Sequence, residues 1–105
     1  MSDSTKWEIR FPDEETKTEY NTYFQSYPNQ QHVRVSFEND VTENPFYHHT
    51  PRRIVHLSGR LKGKYRYAKS KTRIIYEPDQ ASKTVYPLET ATISDVSYKR
   101  RSKKK

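Results

Sequence analysis

The chain has 105 residues and a net charge of +7, from twenty Lys and Arg against thirteen Asp and Glu, and it contains no cysteine. That length holds one domain with a modest core, and the lack of cysteine excludes disulfides and thiolate chemistry. With 30% hydrophobic residues, 13% aromatics, nine of them Tyr, and a mean hydropathy of −1.24, burial falls to amphipathic rings.

Trp7 to Phe11 alternates apolar and polar residues up to Pro12 and predicts a first strand. Asp13-Glu14-Glu15 then places acids where a helix begins, and Tyr20, Tyr23, Phe24 and Tyr27 follow at helical spacing before Pro28. That aromatic stripe is read as core. Asn29 is positioned to cap a second helix carrying Val33, Phe37 and Val41, which ends at Asn44-Pro45. Residues 44–60 read as a long loop with room for a short strand around Ile54-Val55.

The stretch Lys64 to Tyr76 alternates on both sides of Ser70-Lys71 and predicts a β-hairpin. With those two residues as the turn, Lys69 faces Thr72, Tyr67 faces Ile74, Arg66 faces Ile75 and Tyr65 faces Tyr76. Tyr65, Tyr67, Ile74 and Tyr76 then share an apolar face, while Lys64, Arg66 and Arg73 share a cationic one. Pro78 to Ser82 is a turn, and Thr84 to Thr92 is a last strand in which Pro87 requires an edge or a bulge. The expected fold is α+β: two N-terminal helices on one face of a small, mainly antiparallel sheet in the order β-α-α-β-β-β, leaving the other face open. Residues 1–98 form one domain and 99–105 a basic, disordered tail.

Charge is uneven along the chain. Residues 1–56 hold six bases and nine acids, residues 57–98 eight and four, and residues 99–105 six and none. Between residues 60 and 73 there are seven bases and no acid, a pattern that suits phosphate. Candidate contacts to nucleic acid or another polyanion are therefore Arg60, Lys62, Lys69, Lys71, Lys99, Arg100 and Arg101, around a centre of Lys64, Arg66 and Arg73. No apolar run approaches a membrane-spanning length and Met1 to Thr5 lacks the apolar core of a signal peptide, so no membrane partner and a cytoplasmic location are expected.

The order of elements, with Asn44-Pro45-Phe46, Leu57-Ser58-Gly59, Gly63-Lys64-Tyr65-Arg66, Arg73-Ile74-Ile75-Tyr76 and Tyr98, resembles the RelE/ParE superfamily of type II toxins, in its RelE-like messenger-RNA interferase branch. The resemblance implies a toxin held inactive by a cognate antitoxin and acting at the ribosome as an endoribonuclease on messenger RNA. It implies operator-DNA binding only through the antitoxin. The reaction is attack of a ribose 2′-hydroxyl on the adjacent phosphate, which needs no metal or other cofactor. Carried over by position, the catalytic set is Lys64 as general base, Arg73 as phosphate clamp, Arg66 in support and Tyr98 orienting the RNA.

The sequence departs from the family pattern in three places. Thr92 stands where RelE enzymes often have an arginine, and Ser70 and Thr72 stand where the family tends to have glycine and an aromatic residue. A non-catalytic module of the same fold, such as a gyrase-directed toxin, and a general basic RNA-binding protein are the other readings. His48, His49 and His56 invite zinc, but no cysteine or spaced carboxylate completes a set, and no metal site is expected. Glu77 is expected opposite Lys64, as an ordinary cross-strand pair.

Overall fold

A computed structural model of the chain describes residues 6–96. Tyr98, Lys99, Arg100, Arg101 and the remaining tail, like the proposed domain boundary at residue 98, lie outside the described residues. Seven elements follow one another: β1 (Glu8–Ile9), α1 (Glu14–Ser26), α2 (Gln31–Glu43), β2 (Ile54–His56), β3 (Tyr65–Lys69), β4 (Thr72–Asp79) and β5 (Thr84–Thr92). They form one five-stranded sheet in the order β1-β5-β4-β3-β2, antiparallel except for β1 beside β5. The loop 44–60 contributes β2, a three-residue strand that adds a fourth strand after the helices.

Helix α1 starts where its acids predict. The Asp13 carboxylate accepts the Thr16 N–H at 2.8 Å, and that bond holds the carboxyl below its ordinary range. Asn29 does not cap α2: Pro28 sets a 3-10 turn over Pro28–Gln30, so Gln30 takes the cap position with no side-chain bond. The helices bury Tyr20, Tyr23 and Phe24 of α1 and Val33, Phe37 and Val41 of α2 against Tyr67, Ile74, Tyr76 and Val85 of the sheet. Phe37 lies at the centre, with ring centroids 5.2 Å from Tyr67 and 5.6 Å from Tyr76.

The β3–β4 pairing has the register that the alternation predicts, from Tyr65 opposite Tyr76 to Lys69 opposite Thr72. Pro87 satisfies both of its conditions. Pairing shifts between Ile75 and Tyr76, which face Glu89 and Pro87, and β1 covers β5 only at Thr84 and Val85. The missing donor of Pro87 thus lies beyond the edge strand and next to the bulge.

Candidate nucleic-acid interface

Pairing in an antiparallel ladder sends opposed side chains to the same face. The face away from the helices therefore carries a row of Val55, Arg66, Ile75 and Glu89, flanked by Lys64 with Glu77 and by Ala68, Arg73 and Ala91. The cations anticipated on one face are there, and so are two acids. Lys64 Nζ lies 3.8 Å from Glu77 Oε1, as the register requires, and Glu89 adds a carboxylate beside the arginines. Ile75 is buried on this side, so the centre of the face is apolar beneath a charged surround.

Arg66 and Arg73 line one pocket of about 270 Å3 with Pro51, Arg52, Arg53, Ala68, Lys69 and Ser70. No acid lines it among the described residues. Its rim is fixed by bonds to backbone oxygens: Arg66 Nη2 donates to Arg52 O at 2.7 Å, and Arg73 Nη1 to Ser70 O at 3.0 Å and Thr72 O at 2.9 Å. Lys64 lies at the other end of β3, away from this pocket. Guanidiniums presented as a group on a rigid sheet suit a phosphate, which they can meet in a bidentate way. A larger hollow of about 750 Å3 runs along α1, but Glu14, Glu15 and Glu19 rim it and give it the wrong sign for a polyanion.

The other cations are spread differently. Arg60 and Lys62 are exposed around the 3-10 turn Gly59–Leu61, whose ends need Gly59 at φ 67 and Gly63 at φ 90. That requirement gives the two glycine motifs of the sequence a backbone reason. Lys69 turns to the helices, its Nζ 3.0 Å from Ser36 Oγ, and Lys71 sits over the Tyr27 ring at 4.8 Å. Arg52 and Arg53 were not anticipated. Their signal, Pro51-Arg52-Arg53 ahead of an aliphatic pair, becomes meaningful only once β2 is paired with β3.

Ser70, Thr72 and the turn between the helices form one chain of hydrogen bonds, buried at Thr72. Thr72 Oγ1 donates to Gln30 Oε1 at 2.7 Å, so it accepts from the Tyr23 hydroxyl at 2.7 Å, and Gln30 Nε2 donates to Ser70 Oγ at 3.2 Å. Ser70 and Thr72, two of the three departures from the family pattern, therefore serve the same contact between the hairpin tip and Gln30. Ser70 bears φ 56 in this turn, a conformation glycine adopts more easily, and its hydroxyl offsets that strain. Thr92 pairs with Thr72 on the helix side, across the sheet from the arginines.

Of the histidines, His56 stacks on Tyr65 at 4.6 Å, away from the other two. His48 Nδ1 accepts the Thr50 N–H at 3.0 Å, which places its ring proton on Nε2, 3.1 Å from Asp40 Oδ2. Asp40 also accepts the Tyr67 hydroxyl at 2.6 Å. Burial first, and then this carboxylate, pushes the Tyr67 phenol well above its ordinary range. His48 thus ties the loop ahead of Arg52 to α2 with both ring nitrogens engaged. No three His, Cys, Asp or Glu side chains among the described residues converge as a metal site.

No protein-family model matches the chain, and no curated protein matches it either. Among solved structures, a chain of the RelBE2 toxin–antitoxin complex from Mycobacterium tuberculosis superposes with a TM-score of 0.63 at 19% identity, over 83% of this chain and 98% of that one. Two helices on one face of a mostly antiparallel five-stranded sheet, with that superposition, give the chain the RelE-like fold.

Proposed function

We propose that the chain is the toxin of a type II toxin–antitoxin pair, a cytoplasmic endoribonuclease that cuts messenger RNA on the ribosome. The observation that carries this reading is the grouping of Arg66 and Arg73 in one acid-free pocket, with Lys64 two residues along the same face of a RelE-like sheet. In the reaction, Lys64 takes the 2′-hydroxyl proton, the freed oxygen attacks the adjacent phosphorus, and Arg73, supported by Arg66, stabilises the charge of the phosphorane. The 5′-oxygen then departs and takes up a proton, leaving a cyclic phosphate. Tyr98 orients the RNA, and the exposed Arg60 and Lys62 add salt-sensitive attraction. A cognate antitoxin that covers this face would silence the protein, and it would supply any contact with operator DNA.

The test is cleavage of messenger RNA on programmed ribosomes. The parent should cut within codons in the decoding site, and Arg73→Ala should lower the rate by at least 100-fold, as loss of a transition-state contact does. No cut by the parent, together with equal harmlessness of parent and variant on expression, defeats the nuclease reading. Binding without cleavage is the second reading, and the Lys64–Glu77 pair favours it, because it gives the candidate base a carboxylate partner.

A further inference from the structure

The pocket at the hairpin end has a wall that the catalytic assignment leaves unused. Arg52 and Arg53 close it on the side of β2. Their carbonyls are occupied, Arg52 O by Arg66 Nη2 at 2.7 Å and Arg53 O by the Ala68 N–H at 2.8 Å, so this short loop is pinned to β3. Arg52 sits at φ 64, a strained conformation for a non-glycine residue, and such strain gathers at binding sites. The Arg53 guanidinium lies over the Tyr67 ring at 5.8 Å, and the Nε atoms of both Arg53 and Arg66 are buried with no hydrogen-bond partner. No acid lines the cavity among the described residues, and guanidiniums grouped in this way suit an anion that joins them.

Position separates this cavity from Lys64. The row of Ala68 and Arg73 lies four residues along β3 from Lys64, roughly 13 Å at strand spacing. Arg66 and Arg73 are the part of the pocket assigned to the scissile phosphate, which leaves the Arg52–Arg53 wall, level with Ala68 and past Arg66 from Lys64, for a neighbouring one.

We propose that Arg52 and Arg53 form a second phosphate subsite that holds the RNA backbone beyond the scissile position. This rests on the reading of the ligand as RNA, although the subsite's affinity for phosphate does not. His48 acts here as a positioning residue, because its bonds to Thr50 and Asp40 set the loop that presents the two arginines.

Two measurements separate the subsite from the RNA reading. In an amide NMR titration with inorganic pyrophosphate, the Arg53, Ala68 and Ser70 resonances should shift and saturate in the parent and stay still in Arg52→Gln/Arg53→Gln. No saturating shift there, or the same shift in the double variant, overturns the subsite, and the spectra report folding directly. In the second, binding of a single-stranded RNA oligonucleotide is followed against salt. The double variant should lose about 0.7 to 1.4 from the slope of log K on log salt, the size of one or two phosphate contacts. The charge-matched Arg10→Gln/Lys17→Gln should retain the parent slope, and equal losses in both variants also overturn the subsite. Pyrophosphate binding without any RNA binding keeps the subsite and defeats the RNA reading.

Discussion

Thr72→Val is the sharpest probe of how this sheet is held. Thr72 is fully buried, and valine keeps its shape while removing one hydroxyl. That hydroxyl is the middle of a directed chain, accepting from Tyr23 and donating to Gln30 Oε1, both at 2.7 Å. Its loss strands two groups at once: a phenol on a residue 8% exposed and an amide oxygen on a residue 3% exposed. A stranded buried polar group costs about 1–3 kcal/mol, so the substitution should cost about 2–6 kcal/mol. A domain of this size has about 5–15 kcal/mol in all. Urea unfolding followed by the fluorescence of Trp7, the single tryptophan, which packs edge-on against Phe46 at 5.5 Å, reads the change. With a slope of about 1.5 kcal/mol per molar, a loss of about 3 kcal/mol lowers the midpoint by about 2 M. A second substitution sharpens the test. Tyr23→Phe should cost about 1 kcal/mol in the parent, yet be neutral or stabilising beside Thr72→Val, where it removes the stranded phenol. A cost below about 0.5 kcal/mol for Thr72→Val, or simple additivity of the pair, refutes the reasoning.

Alkaline pH should unfold the protein through its buried phenols. Burial is the main cause that raises Tyr20, Tyr67 and Tyr76, with Glu38 and Asp40 adding to it for the first two. The unfolded chain therefore loses these protons near pH 10 while the folded one keeps them, so stability is full below pH 10 and falls above it by about 1.4 kcal/mol per pH unit for each tyrosine. Urea midpoints measured from pH 8 to 11.5 check this, and a flat profile contradicts it. Glu77→Gln should change stability by less than about 1 kcal/mol, because the Lys64–Glu77 pair is long and Glu77 is 49% exposed; a larger loss in the same urea assay would mark the pair as structural. Arg52→Gly should raise stability by about 1 kcal/mol through relief of φ 64, while weakening pyrophosphate binding in the NMR titration. Gain of both, or loss of both, contradicts that account.

The hairpin was legible because period-two alternation fixes which side chains share a face, and the Ser70-Lys71 break fixes the register. The helices were legible from Tyr20, Tyr23, Phe24 and from Val33, Phe37, Val41, since each set recurs at the spacing of one buried stripe. Their junction was not: Pro28 imposed a 3-10 turn, and Gln30 rather than Asn29 became the residue that matters there. Sequence comparison marks Ser70 and Thr72 as departures with no visible cause, because the cause, Gln30, lies about forty residues away. Arg52 and Arg53 were hidden for a related reason. A three-residue strand is too short to have a period, yet its pairing with β3 carries both arginines to the rim of the pocket.

What the sheet can do follows from that last step. Charge counting along residues 60–73 treats seven cations as equivalent, but the fold divides them. Lys71 is drawn to Tyr27 and Lys64 to Glu77, Lys69 borders the pocket but gives its ammonium to Ser36, and Arg66 and Arg73 line the pocket with two arginines from outside the run. Arginine rather than lysine thus lines nearly all of the charged wall, and arginine holds a phosphate in fixed geometry where lysine supplies only a point charge. The pocket is therefore better suited to positioning an RNA backbone than to taking a proton from it. The proposed reaction gives the proton transfer to Lys64, at the far end of β3 and beside a carboxylate. Comparison of Lys64→Met with Arg73→Ala separates the two roles: if the assignment holds, Lys64→Met abolishes cleavage on programmed ribosomes and leaves the salt dependence of RNA binding almost intact, whereas Arg73→Ala reduces both. Equal loss of binding in the two variants would make Lys64 a phosphate contact and leave the reaction without its base.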